Sequence, residues 1–143
     1  MYGEYNNEVG VWQLKLLPVA YEDFALDITY TGNAKTQVRF KVIEEWIREE
    51  NSTETIVPVP NSKFTLDSRI ADNRNVDGYY YFTDPLQNAN KNDDRVYNAI
   101  TGVTLPTIAQ DEVFPTAVKL TVYVDAVQSN RAKKVWGISS IPM

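Results

Sequence analysis

Three groups of side chains could do chemistry in this chain. The first is acidic: Glu44, Glu45, Glu49 and Glu50 surround Trp46. Paired carboxylates hydrolyse glycosides when two of them face each other across a cleft. Neighbours in one short run do not face each other in that way, so this group reads as a solvated charged rim. The second is a set of oxygen donors in two stretches, Asp72 and Asp77 with Asn73 and Asn75, then Asp93 and Asp94 with Asn90 and Asn92. Calcium takes six to eight oxygens from such loops. Neither stretch has a bidentate Glu at EF-hand spacing, and Asn and Asp also cap their own backbone in turns. The metal reading therefore ranks below turn chemistry. The third is aromatic: Tyr79, Tyr80, Tyr81 and Phe82 in succession, with Trp46 upstream. Exposed rings of this kind stack on sugars or anchor a protein partner, whereas Tyr79 with Tyr81 and Tyr80 with Phe82 lie on opposite faces of a strand, and cross-strand packing is the favoured reading.

What is missing narrows the chemistry further. The chain has no His and no Cys. That removes the commonest general base, the commonest transition-metal ligand, thiolate metal sites, a cysteine nucleophile and disulfides. The sequence reads as that of a non-enzyme with no cofactor. A net charge of −5 argues against nucleic acid, since phosphate contacts need clustered Lys and Arg. The small basic group Arg131, Lys133 and Lys134 reads as a solvated turn. Asn51-Ser52-Thr53 fits the N-glycosylation pattern by chance. No apolar run reaches the roughly 20 residues of a membrane span. Met1 to Glu8 is polar and acidic, with no apolar signal-peptide core.

The elements that must carry these groups are strands. Val118, Leu120, Val122 and Val124 alternate with Lys119, Thr121, Tyr123 and Asp125, the period of a half-buried strand. Phe24 to Tyr30 and Gln37 to Ile43 alternate in the same way around Thr31-Gly32-Asn33, which predicts a hairpin. Val9 to Leu16 predicts a strand stopped by Pro18. The window Ile43 to Glu50 fits both a helix and a continued strand, and the β-branched run entering it favours the strand. Thr55 to Pro60 suits an edge or loop, and Lys63 to Leu66 a short strand. Asp72 to Gly78 reads as a turn launching Tyr79 to Phe82. Val96 to Ile100, Val103 to Leu105 and a closing Val135 to Ile138 complete the set. With 143 residues, the expectation is one all-β domain spanning 1–143. Its expected form is an antiparallel β-sandwich, jelly-roll or Ig-like, of eight or nine strands.

Three segments in order resemble the camelysin/TasA-type family of secreted bacterial surface and biofilm-matrix proteins. Ile28 to Asn33 followed by Gln37 to Val42 is similar to that family's N-T-G hairpin, with Tyr30 in place of its Asn. Asp77 to Leu86 resembles its Gly-Tyr-Tyr segment. Val122 to Gln128, with Trp136 after it, resembles its C-terminal strand. The resemblance covers roughly residues 22 to 136. It implies a jelly-roll-like sandwich, export to the cell surface with the signal peptide removed, and a place in matrix fibres. Fibres of that type grow by donor-strand addition, in which one subunit's N-terminal segment completes the next subunit's sheet. The resemblance makes residues 1–8 the flexible or donor segment. Tyr2, Tyr5, Val9, Val11, Tyr80, Phe82 and Trp46 are then the expected assembly or partner contacts. Some family members carry a metalloprotease label, but a chain without His has no HExxH zinc pair.

The leading expectation is a non-enzymatic extracellular filament subunit that associates with copies of itself. One alternative is a monomeric carbohydrate- or protein-binding surface module using Tyr80, Phe82 or Trp46. Another is a phage or virion structural subunit.

Overall fold

The computed structural model describes residues 7–30, 34–87, 95–106 and 115–143. Nine strands are seen among them, in two antiparallel sheets. They are β1 (Asn7–Leu16), β2 (Leu26–Tyr30), β3 (Thr36–Glu50), β4 (Thr53–Ile56), β5 (Lys63–Leu66), β6 (Ile70–Asn73), β7 (Tyr79–Phe82), β8 (Arg95–Thr104) and β9 (Ala117–Gln128). Three short α-helices accompany them, α1 (Pro18–Tyr21) and α2 (Arg74–Asp77) between strands and α3 (Ala132–Trp136) after β9. The larger sheet runs β1-β9-β3-β7-β6, with β4 also paired to β3. The smaller sheet is β2-β8-β5.

The fold is thus an all-β sandwich. Its core is made by inward-facing alternate residues: Val38, Phe40 and Trp46 of β3, Val118, Leu120 and Val122 of β9, and Tyr80 and Phe82 of β7. They meet the smaller sheet through aromatic contacts, Phe82 on Tyr97 at 6.1 Å and Tyr80 on Phe64 at 6.3 Å between ring centroids. Such pairs favour tilted and edge-on geometry because each ring's face is negative and its edge positive.

The window at Ile43 to Glu50 is strand, as its β-branched run indicates, and it ends in a tight hairpin to β4. Asn51 and Ser52 both take positive φ, 50° and 65°, as a two-residue turn between twisted strands demands.

Three expectations are corrected. The hairpin of Phe24–Tyr30 with Gln37–Ile43 does not form: β2 pairs with β8, whereas β3 pairs with β9, β7 and β4. The chain crosses between sheets at this point. Alternation fixes which face of a strand is apolar, but it does not choose the partner. The turn Thr31-Gly32-Asn33 lies outside the described residues. Val96–Ile100 and Val103–Leu105 are one strand, β8, apart from Leu105 just beyond its end. Val135–Ile138 is not a strand. Residues 132–136 form a helical turn closed by Gly137 at φ 68°, with the Ile138 N–H donating to Lys133 O at 3.0 Å. A lysine pair followed by a left-handed Gly is a helix C-terminus signal.

Candidate functional site: the edge strand and its apolar rim

β1 is the end strand of the larger sheet, and its register pairs it with β9 along its whole length, from Asn7↔Val127 to Leu16↔Val118. Among the described residues it has no other strand partner. Its far side therefore presents a row of backbone donors and acceptors, the template on which another strand can add.

The side chains of β1 are placed just as openly. Trp12, Leu14 and Leu16 stand opposite Val122, Leu120 and Val118, whose side chains are buried in the core. Yet Trp12 is 55% exposed and Leu14 42%. The smaller sheet has three strands against the larger sheet's six, too few to cover the inner face of every strand, and β1 is at the end of the row. On the opposite face Val11 is 53% exposed. The apolar rim continues past the strand through Leu17 and Val19, both exposed. The Trp12 indole lies back over Gly10, where a Cβ would come within 2.5 Å of Trp12 Cζ3. The missing side chain at Gly10 is what lets the ring lie flat on its own strand.

Charged pairs gather at the C-terminal end of β1. Lys15 meets Glu49 at 2.5 Å and Glu54 at 3.3 Å, and Glu54 also accepts Lys119. Lys15 and Lys119 are direct cross-strand neighbours, a repulsive pair that Glu54 bridges. The hydrogen bond to Glu49 raises the Lys15 pKa, and the bond from Lys119 lowers that of Glu54. All of these groups are solvent-exposed, so they weakly orient the strand end rather than anchor it.

The residues singled out from sequence are scattered. Val11 is exposed on β1, and Val9 stands in its register opposite Asp125. Tyr80, Phe82 and Trp46 are corrected as contact residues: they are 1%, 1% and 2% exposed and belong to the core. Inward parity on β7 and β3 buries all three. Tyr81, of the other parity, is also buried, because α3 lays Trp136 against it at 5.7 Å. Asp72 is engaged by Arg74 at 2.8 Å, and Asp77 accepts the Tyr79 N–H at 3.0 Å and the Tyr81 hydroxyl at 2.5 Å. These are turn contacts, and no group of three metal-ligating side chains occurs among the described residues. Tyr2, Tyr5, Asp93 and Asp94 lie outside them.

Glu44 also departs from expectation. It is not on the rim but on the inner face of β3, opposite Leu120, where it accepts the Tyr21 hydroxyl at 2.5 Å and the Ser62 N–H at 2.7 Å. Burial, reinforced by this carboxylate, pushes the Tyr21 pKa well up. With no second carboxylate bonded there, the arrangement is a structural hydrogen bond, not an acid–base pair.

Sequence reasoning missed Trp12 and Leu14. The available signal was a strand apolar at both parities, which cannot bury both faces when it lies at a sheet edge. The chain matches no protein-family model, no curated protein and no solved structure. No helix among the described residues is long and apolar enough to cross a membrane.

Proposed function

We propose that this protein is a non-enzymatic, extracellular structural subunit that assembles with copies of itself into surface or matrix filaments through β-strand edges. The observation that carries the reading is β1: a ten-residue edge strand, paired only to β9 among the described residues, with Val11, Trp12 and Leu14 exposed. Such a strand can leave its own β9 and pair with that of a neighbour, the same bonds being remade between subunits. Leu17, ahead of Pro18, is the hinge. The donor is then Asn7–Leu16 rather than residues 1–8. Export and the extracellular setting rest on the family resemblance.

Truncation to residue 17 tests this. The fragment 17–143 keeps every buried core residue among those described and is expected to be a folded monomer that forms no filaments. A peptide of residues 7–16 is expected to bind it. Filaments from the fragment would refute the role of β1.

A second reading, a monomeric surface module binding carbohydrate or protein, is favoured by the exposed, flat Trp12 indole. It predicts ligand binding that Trp12→Ala abolishes in a protein that stays monomeric at high concentration.

A further inference from the structure

The outer face of the larger sheet carries an alternating row of rings and cations. The Arg39 guanidinium lies 4.5 Å from the Trp136 ring and 4.1 Å from that of Tyr79. The Lys41 ammonium follows, 5.1 Å from Tyr79 and 4.9 Å from Tyr123. The two cations differ in one respect. Arg39 is neutralised by Asp125 at 3.1 Å. Lys41 has no carboxylate partner among the described residues, although it sits half-buried near the middle of a sheet. The hydroxyls of Tyr79 and Tyr123 likewise bond to nothing described. α3 covers the Arg39 end of the row by way of Trp136, while Tyr123 is partly exposed at the other end and pairs across to Val11 of β1.

We propose that Lys41, Tyr123 and Tyr79 form a binding site for a carboxylated polysaccharide. The sugar carboxylate pairs with the Lys41 ammonium, the pyranose C–H face stacks on the Tyr123 ring, and the two phenol hydroxyls bond to sugar hydroxyls. Tyr123 and Tyr79 stand on strands either side of β3, two strand spacings or about 10 Å apart, so the row contacts more than one sugar ring. The complementarity is local: an uncompensated cation between two rings. The overall charge of −5 opposes a polyanion at long range, so binding depends on these contacts and not on steering. The inference is independent of filament formation.

Affinity electrophoresis tests it, with polygalacturonate in one gel and neutral dextran in another. The full chain is expected to be retarded by polygalacturonate and not by dextran. Lys41→Gln, which keeps most of the side-chain stem, is expected to weaken the interaction roughly tenfold, the scale of a lost charge-assisted hydrogen bond. Tyr123→Ala should weaken it as well, with the fold of each variant checked by circular dichroism. Ile56→Ala, an exposed side chain on β4 outside the row, should bind as the parent does. No retardation of the parent chain, equal retardation by dextran, or unchanged retardation of Lys41→Gln would each overturn the proposal.

Discussion

Leu14 and Leu120 are direct cross-strand neighbours with inner-face side chains, and truncating each to Ala gives a sharp contrast. Leu120 is fully buried in the core and Leu14 is 42% exposed. A buried Leu→Ala change costs about 2–5 kcal/mol, from lost transfer energy and the cavity left behind. Leu14 loses only the part of its transfer energy realised on its own chain. It leaves no cavity, because solvent already reaches the site, so the cost is about 1 kcal/mol. A chain of this length loses roughly 3 °C in Tm per kcal/mol. Leu120→Ala should therefore melt roughly 6–15 °C lower, and Leu14→Ala roughly 3 °C lower, in dilute monomer followed by near-ultraviolet circular dichroism. If association covers Leu14, its variant should instead be impaired at high concentration, where scattering reports assembly. Equal losses of Tm for the two variants would refute the reasoning, because the inner face of β1 would then be covered within the monomer.

Other perturbations follow from the same geometry. Asp125→Ala leaves the half-buried Arg39 cation without its carboxylate and should cost about 2–4 kcal/mol in urea unfolding, by analogy with broken buried pairs. Tyr80 is buried, and burial raises its pKa to about 12. The folded state then holds a proton that the unfolded state releases from pH ~10, so stability should fall between pH ~10 and ~12. Tyr80→Phe should make that fall shallower in pH-resolved melts, leaving the part contributed by Tyr21, whose pKa burial also raises. Since the Tyr80 hydroxyl has no hydrogen-bond partner among the described residues, its removal should cost nothing at pH 7. Gly10→Ala should displace the Trp12 indole, read as a shift in tryptophan emission, with little change in Tm.

The two faces of each strand were legible in the residues, and their partners were not. Alternation placed Val38, Phe40 and Leu120 on inner faces, where they are buried. It could not reveal that β2 crosses to the smaller sheet and finds β8 some seventy residues later, a contact no local pattern encodes. Composition left both roles open for Trp46 and the Tyr80–Phe82 run, with packing the favoured one for the tyrosines, because aromatic side chains serve cores and contacts alike. Parity on β3 and β7 decides for the core. Glu44 was read from its acidic neighbours, whereas its strand parity turns it inward towards Tyr21. The width of the second sheet, which leaves Trp12 and Leu14 uncovered, is a property of the assembled sandwich and has no counterpart in any one segment.

A strand exchanged between subunits must first leave its own sheet. Gln13 and Thr121 face each other across β1 and β9. Directly opposed Cα atoms in antiparallel strands lie about 4.5–5.5 Å apart, within disulfide range. The chain has no cysteine of its own, so Gln13→Cys with Thr121→Cys makes a single lock. Electron microscopy of this double variant at high concentration, oxidised and reduced, tests the proposed assembly most directly. Filaments from the reduced protein and monomers from the oxidised protein are the predicted result. Equal filaments from both would contradict exchange of β1, and an absence of filaments from both, matched by the parent chain, would contradict self-assembly.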